Sequence, residues 1–129
     1  MGRFVSETTV VRADWWDEGE EVEIKRFSHL DRQYISHQAT EIVAGEDGSR
    51  VVRLDAEALD RAIMQRGIVR WTLKGANGKV APLTRSAIER LSSEDGEFIV
   101  NAIHEFNPRR SAEEQANFRG TAGGGAAVE

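Results

Sequence analysis

Ile68-Val69-Arg70-Trp71-Thr72-Leu73-Lys74 runs into Gly75-Ala76-Asn77-Gly78, returns through Lys79-Val80-Ala81-Pro82-Leu83 and arrives at Thr84. This stretch decides the fold class. The first segment is rich in β-branched and aromatic residues, and Val69, Trp71 and Leu73 alternate along it, which predicts a strand with Trp71 turned into a core. Asn77-Gly78 supplies two residues that tolerate positive φ, as a type I′ hairpin turn requires. Pro82 has no N–H to give a ladder and ends the return leg, while Thr84 can cap a helix. That helix is expected over Thr84–Leu91 with Ile88 and Leu91 inward. Ser92 or Ser93 then caps a last helix carrying Phe98, Ile99, Ala102, Ile103 and Phe106 as its apolar stripe. Glu94 and Asp95 fall in its first turn, where the helix dipole favours negative charge. Asn107-Pro108 stops it, because a residue before proline avoids the helical region.

Upstream, Thr8–Arg12 and Glu21–Phe27 read as an antiparallel hairpin. In the second segment Val22 and Ile24 share one face and charges take the other. An acidic loop, Asp14-Trp15-Trp16-Asp17-Glu18-Gly19-Glu20, joins them. Ser28, with Asp31 three residues on, opens a long helix expected to reach about Ala44, with Leu30, Tyr34, Ile35, Ala39 and Ile42 at helical spacing. Gly45 is placed to end that helix in a left-handed conformation. Arg50–Leu54 forms a short strand, and Asp55 opens another helix that Gly67 stops. The fold class is therefore α+β: a small antiparallel sheet, made of the N-terminal hairpin and the Trp71 hairpin, packed against about four helices. Residues 1–107 form one globular unit. Residues 108–129, with Gly123-Gly124-Gly125, make a mostly disordered Gly/Ala-rich tail whose composition cannot offset its ordering entropy.

A chain of 129 residues is long enough for one hydrophobic core, and its 30% charged and 40% hydrophobic content is ordinary for a globular domain. A net charge of −5 disfavours nucleic acid held through phosphate contacts. With no cysteine, disulfides and thiolate metal sites are excluded. No signal peptide is expected, and no window approaches the ~20 apolar residues that span a bilayer. A soluble, cytoplasmic protein is expected.

Motifs for chemistry fail one after another. Asp14, Trp16, Glu18 and Gly19 would occupy the first, third, fifth and sixth positions of a calcium loop, but Trp16 and Lys25 stand where ligands are required. Gly75–Val80 lacks the spacing and the hydroxyl of a phosphate loop. His29, His37 and His104 have no helical ligand spacing, no serine sits in a nucleophile elbow, and no carboxylate pair is isolated. No enzymatic activity, cofactor or metal is expected. The remaining candidates are aromatic. Strand neighbours point to opposite faces, so Trp15 and Trp16 are not both expected to be buried, and one of them is an anchor for a partner or part of a lid over the hairpin. Trp15, Trp16, Phe98 and Phe106 are the candidate partner-binding residues.

Val22-Glu23-Ile24-Lys25-Arg26-Phe27-Ser28-His29-Leu30-Asp31, Trp71-Thr72-Leu73-Lys74, the turn through Gly78-Lys79, Pro82-Leu83-Thr84 and Phe98–Asn107 together resemble the tail assembly chaperones of long-tailed (siphovirus-type) bacteriophages. The resemblance covers roughly residues 20–107 as a pattern. It implies a protein of the host cytoplasm that binds the tape-measure protein, keeps its apolar helices soluble and helps recruit the major tail (tube) protein. It also implies that Gly120–Glu129 would suit a linker to a frameshifted extension. A structural virion protein (a tail-tube, tail-terminator or head–tail connector subunit) is the alternative, and self-association is compatible with both.

Overall fold

The computed structural model describes residues 4–108. The tail expected beyond Pro108 lies outside the described residues. In chain order the elements are β1 (Thr8–Val11), β2 (Val22–Lys25), α1 (His29–Ala39), β3 (Thr40–Ala44), β4 (Arg50–Leu54), α2 (Ala56–Gly67), β5 (Ile68–Trp71), α3 (Arg85–Glu89) and α4 (Ser93–Phe106). The class is α+β, as expected, but the strands form two antiparallel sheets: β1-β2-β5 and the separate pair β3-β4.

β2 is the centre of the larger sheet. It pairs antiparallel with β1 on one side and β5 on the other, and Val22 and Ile24 are wholly buried beneath α4. The opposite face carries Arg12, Glu21, Glu23 and Arg70, with Arg70 Nε 2.7 Å from Glu23 and its Nη2 3.1 Å from Glu21. Pairing slips between Glu23 and Ile24, so Val69 is an extra residue on β5. This bulge breaks the expected alternation. Ile68 and Trp71 both point inward, and Val69, expected on Trp71's face, is pushed out to 46% exposure. Trp71 is a core residue whose indole N–H donates to the Ala81 carbonyl at 2.7 Å.

That bond also limits the Trp71 hairpin. The return leg makes one bridge, Lys74 to Val80, and forms no strand, because Ala81's carbonyl is engaged by the indole and Pro82 has no N–H. The turn is not type I′. Gly78 N–H donates to Gly75 O at 3.0 Å, Gly75 N–H donates to Lys79 O at 2.9 Å, and Gly78 has φ 78°. Ala76-Asn77 are thus the central pair, and Gly78 is the left-handed residue of a three-residue loop with a bulge. The β3–β4 turn repeats the device. Gly48 N–H donates to Gly45 O at 3.1 Å and Gly45 N–H to Ser49 O at 2.6 Å, with Gly48 at φ 85°.

The first helix is shorter than the periodicity predicts. It ends at Ala39, and Thr40–Ala44 turns into β3. The β-branched residues Thr40, Ile42 and Val43 pair instead with Leu54, Val52 and Val51. Ile42 therefore leaves the helical stripe and is 63% exposed. Gly45 is not the left-handed helix stop; Gly48 is the left-handed residue, in the turn. The start of α1 is as expected. Ser28 and Asp31 form a reciprocal capping box, with bonds of 2.9 and 3.1 Å. Leu30 is 67% exposed, and Asp31 is the residue that turns inward.

Asp31 is 2% exposed and lies 3.1 Å from Lys25 Nζ and 3.0 Å from Arg66 Nε. Burial alone would push its carboxyl up. The Ser28 N–H and the Lys25 ammonium outweigh that, and the net is below the ordinary carboxylate range. A second polar tie closes the far end. Buried Asn107, the C-cap of α4, accepts from Phe27 N–H at 2.7 Å and donates to the carbonyls of Lys25 and Ile103, each at 3.0 Å. Gly67 ends α2 for a packing reason: a Cβ there would lie 2.7 Å from Ile103 Cδ1 on α4.

Candidate functional site

The loop between β1 and β2 is held at both ends. Trp16 N–H bonds Ala13 O at 3.1 Å, and Glu20 N–H bonds Asp17 O at 3.0 Å across Gly19 at φ 90°. Thr72 Oγ1 donates to Gly19 O at 2.6 Å, and Lys74 N–H donates to Glu20 Oε2 at 2.8 Å. These bonds turn both indoles toward the first turn of α4. Trp15 and Trp16 each donate Nε1–H to the same oxygen, Asp95 Oδ1, at 2.7 Å. Both also meet Phe98 edge-on, with ring centroids 5.6 and 5.2 Å away. For Asp95, burial is the largest influence and pushes the carboxyl up. The two indole donors, Trp16 first, and the Ser92 hydroxyl together hold it below the ordinary range.

The structure thus brings three of the four candidate residues together. Trp15, Trp16 and Phe98 form one cluster, closed by a carboxylate 79 and 80 residues away from its indole donors. Trp16 is packed against the core, whereas Trp15 is 57% exposed. The two indoles do not point to opposite faces, because alternation belongs to strands and these residues stand in a turn. Phe106 is not part of the cluster. It lies two helical turns further along α4, partly buried under the Arg26 guanidinium, 4.5 Å above its ring. Of the four, Trp15 offers the most free aromatic surface.

A larger apolar surface lies where aromatic residues gave no signal. On one face of the β3–β4 hairpin, Ile42 sits opposite Val52 and Thr40 opposite Leu54. Ile42, Val52 and Leu54 are 63%, 68% and 64% exposed. The other face is charged at its base, where Arg53 Nη2 lies 3.3 Å from Glu41 Oε2. Asp47 locks the turn by accepting from the Ser49 hydroxyl at 2.6 Å and the Ser49 N–H at 3.0 Å, which together hold its carboxyl below the ordinary range. At the hairpin base, Leu54 lines a cavity of about 250 Å³ with Ile35, Ala39, Leu59 and Ile63. Apolar surface is therefore continuous from the arm into the body. Its signal in the sequence was the pair of β-branched runs, Ile42-Val43 and Val51-Val52, bracketing a Gly-x-Asp-Gly turn.

Among the described residues, no group of three or more histidines and carboxylates stands close enough to hold a metal ion, and no helix is long and apolar enough to cross a membrane. No protein-family model matches the chain, and neither a curated protein nor a solved structure matches it.

Proposed function

We infer that this chain is a non-enzymatic binding protein that covers apolar segments of a partner, and that its biological setting is phage tail assembly. The observation that carries the reading is the β3–β4 arm. A two-stranded hairpin is marginal by itself in water, and three large aliphatic side chains left open on one of its faces make an exposed apolar patch of the kind that marks a binding surface. Among the described residues the outer edges of both strands are also unpaired and can take a partner's backbone. A holding chaperone uses such a surface. It supplies temporary cover for helices that are insoluble until they are assembled.

The resemblance over residues 20–107 gives the specific form: a tail assembly chaperone that binds the tape-measure protein and helps bring tail-tube subunits to it. The same arm favours a second reading, a structural virion subunit, because a hairpin with unpaired edges can add to a neighbour's sheet in a closed ring or tube. Mass spectrometry separates the two. In cells making tails of the phage that encodes the chain, the chaperone reading expects the protein in the lysate and its absence from purified particles. Stoichiometric copies in the particle would overturn it in favour of the structural subunit.

A further inference from the structure

We propose that the groove between α2, α3 and α4 is a docking site for a basic amphipathic helix of a partner protein. This proposal does not depend on the phage reading, and the groove lies on a different face of α4 from the indole cluster. The space is about 610 Å³ and open along one side. Its floor is apolar but narrow, made by the partly buried Leu91 and the outer edges of the core residues Met64, Ile88 and Val100, each 6–8% exposed, and among the described residues its rim carries Glu57, Asp60, Glu89 and Glu97 against one cation, Arg61.

Charge decides the occupant. Arg61 is already directed to Glu89 at 3.7 Å, and Arg85 reaches the same carboxylate at 3.1 Å. Glu57, Asp60 and Glu97 take part in no ion pair among the described residues. An apolar floor between uncompensated carboxylates matches a helix with aliphatic anchors at i, i+3/i+4 and i+7, flanked by Lys or Arg. An independent feature marks where such a helix would come closest. Gly96 lines the groove from inside α4, where glycine weakens a helix relative to alanine. Unlike Gly67, it makes room for nothing in its own chain, since a Cβ at Gly96 would meet no atom within 4 Å. A bare backbone at this point lets a partner helix approach closely.

The test uses the full chain and a fluorescent peptide of about 18 residues, long enough to form a helix. The peptide carries Leu at the anchor positions and Lys elsewhere, and a control peptide has Glu in place of Lys. Anisotropy should show saturable binding of the Lys peptide that weakens as salt is raised, and at least tenfold weaker binding of the Glu peptide. Gly96→Leu, which fills the groove, should cost the Lys peptide at least tenfold. The variant Glu57→Lys/Asp60→Lys/Glu97→Lys alters only exposed positions and should reverse the preference between the peptides. Absence of saturable binding overturns the proposal. So does Lys-peptide binding that survives both variants, or a preference that the charge reversal leaves unchanged. A concentration-dependent dimer of the wild-type chain that Gly96→Leu dissolves would assign the groove to a second copy and also overturn it.

Discussion

Asp31 shows how one residue can join three elements. It caps α1 through Ser28, receives Lys25 from the end of β2 and receives Arg66 from the last turn of α2, all while 2% exposed. Its carboxyl titrates below the ordinary value, so the folded state prefers it charged. The stability this contributes is complete above the unfolded value of about 3.9 and is lost as pH falls through the lower folded value. Asp31→Asn should cost about 2 kcal/mol at neutral pH, from weakened charge-assisted bonds. The gap to wild type should narrow below about pH 3.9 in urea titrations run across the acid range. A constant gap would mean that the charge contributes nothing. Asp95 is the counterpart in the indole cluster. Asp95→Ala removes the acceptor of both Trp15 and Trp16, and should shift tryptophan emission to the red and raise acrylamide quenching. Trp71, buried and bonded to Ala81, supplies the unchanged background. The stability cost should be about 1–2 kcal/mol. An unchanged spectrum would show that the loop stays down without the carboxylate.

At the scale of elements, two glycines should respond with opposite signs. Gly67→Ala adds a methyl where Ile103 already stands, at 2.7 Å, and overpacking of this kind costs about 1–3 kcal/mol even though alanine is the better helix former. Gly96→Ala adds a methyl to open space and should stabilise α4 by about 0.5–1 kcal/mol. Thermal melts of the two variants beside wild type check both signs. Sequence alone did not separate these positions. Gly67 could be read as a helix stop, which it is, but Ile103 lies 36 positions further along the chain and leaves no trace in the local pattern. The same limit explains what else was and was not legible. Caps at Ser28, Asp55 and Thr84 depend on residues three apart and are readable, and the cap of α4 is readable as one of two neighbours, Ser92 or Ser93, of which the structure uses Ser92. The conversion of Thr40–Ala44 from helix to strand depends on pairing with Arg50–Leu54, and the phase shift at Val69 depends on Glu23 and Ile24. In both places helical or alternating spacing gave one answer and a distant partner imposed another. The candidate site was half legible. Aromatic chemistry singles out Trp15, Trp16 and Phe98, which do meet, but the broader apolar arm is aliphatic; its second strand, Arg50–Leu54, is legible, whereas helical spacing absorbs its first, Thr40–Ala44, into an overlong helix.

At the scale of the molecule, the β1-β2-β5 sheet, α2 and α4 enclose one buried cluster, and the β3–β4 arm stands outside it. The body is locked by Asp31 and Asn107, each bonded across long sequence separations, and by Trp71 across its own hairpin, whereas the arm's apolar face has no cover among the described residues. That division between a self-sufficient body and an uncovered arm is the basis for reading the chain as a holding protein. The most direct test is co-expression with an apolar helical fragment of a tape-measure protein, scored by the fraction of that fragment in the supernatant after centrifugation. Wild type should carry most of the fragment into the soluble fraction. Ile42→Glu/Val52→Glu alters only exposed positions, so its own stability should stay within about 1 kcal/mol of wild type, yet it should leave the fragment in the pellet. A fragment that is equally insoluble with and without the wild-type chain, or equally rescued by the double variant, would contradict the account.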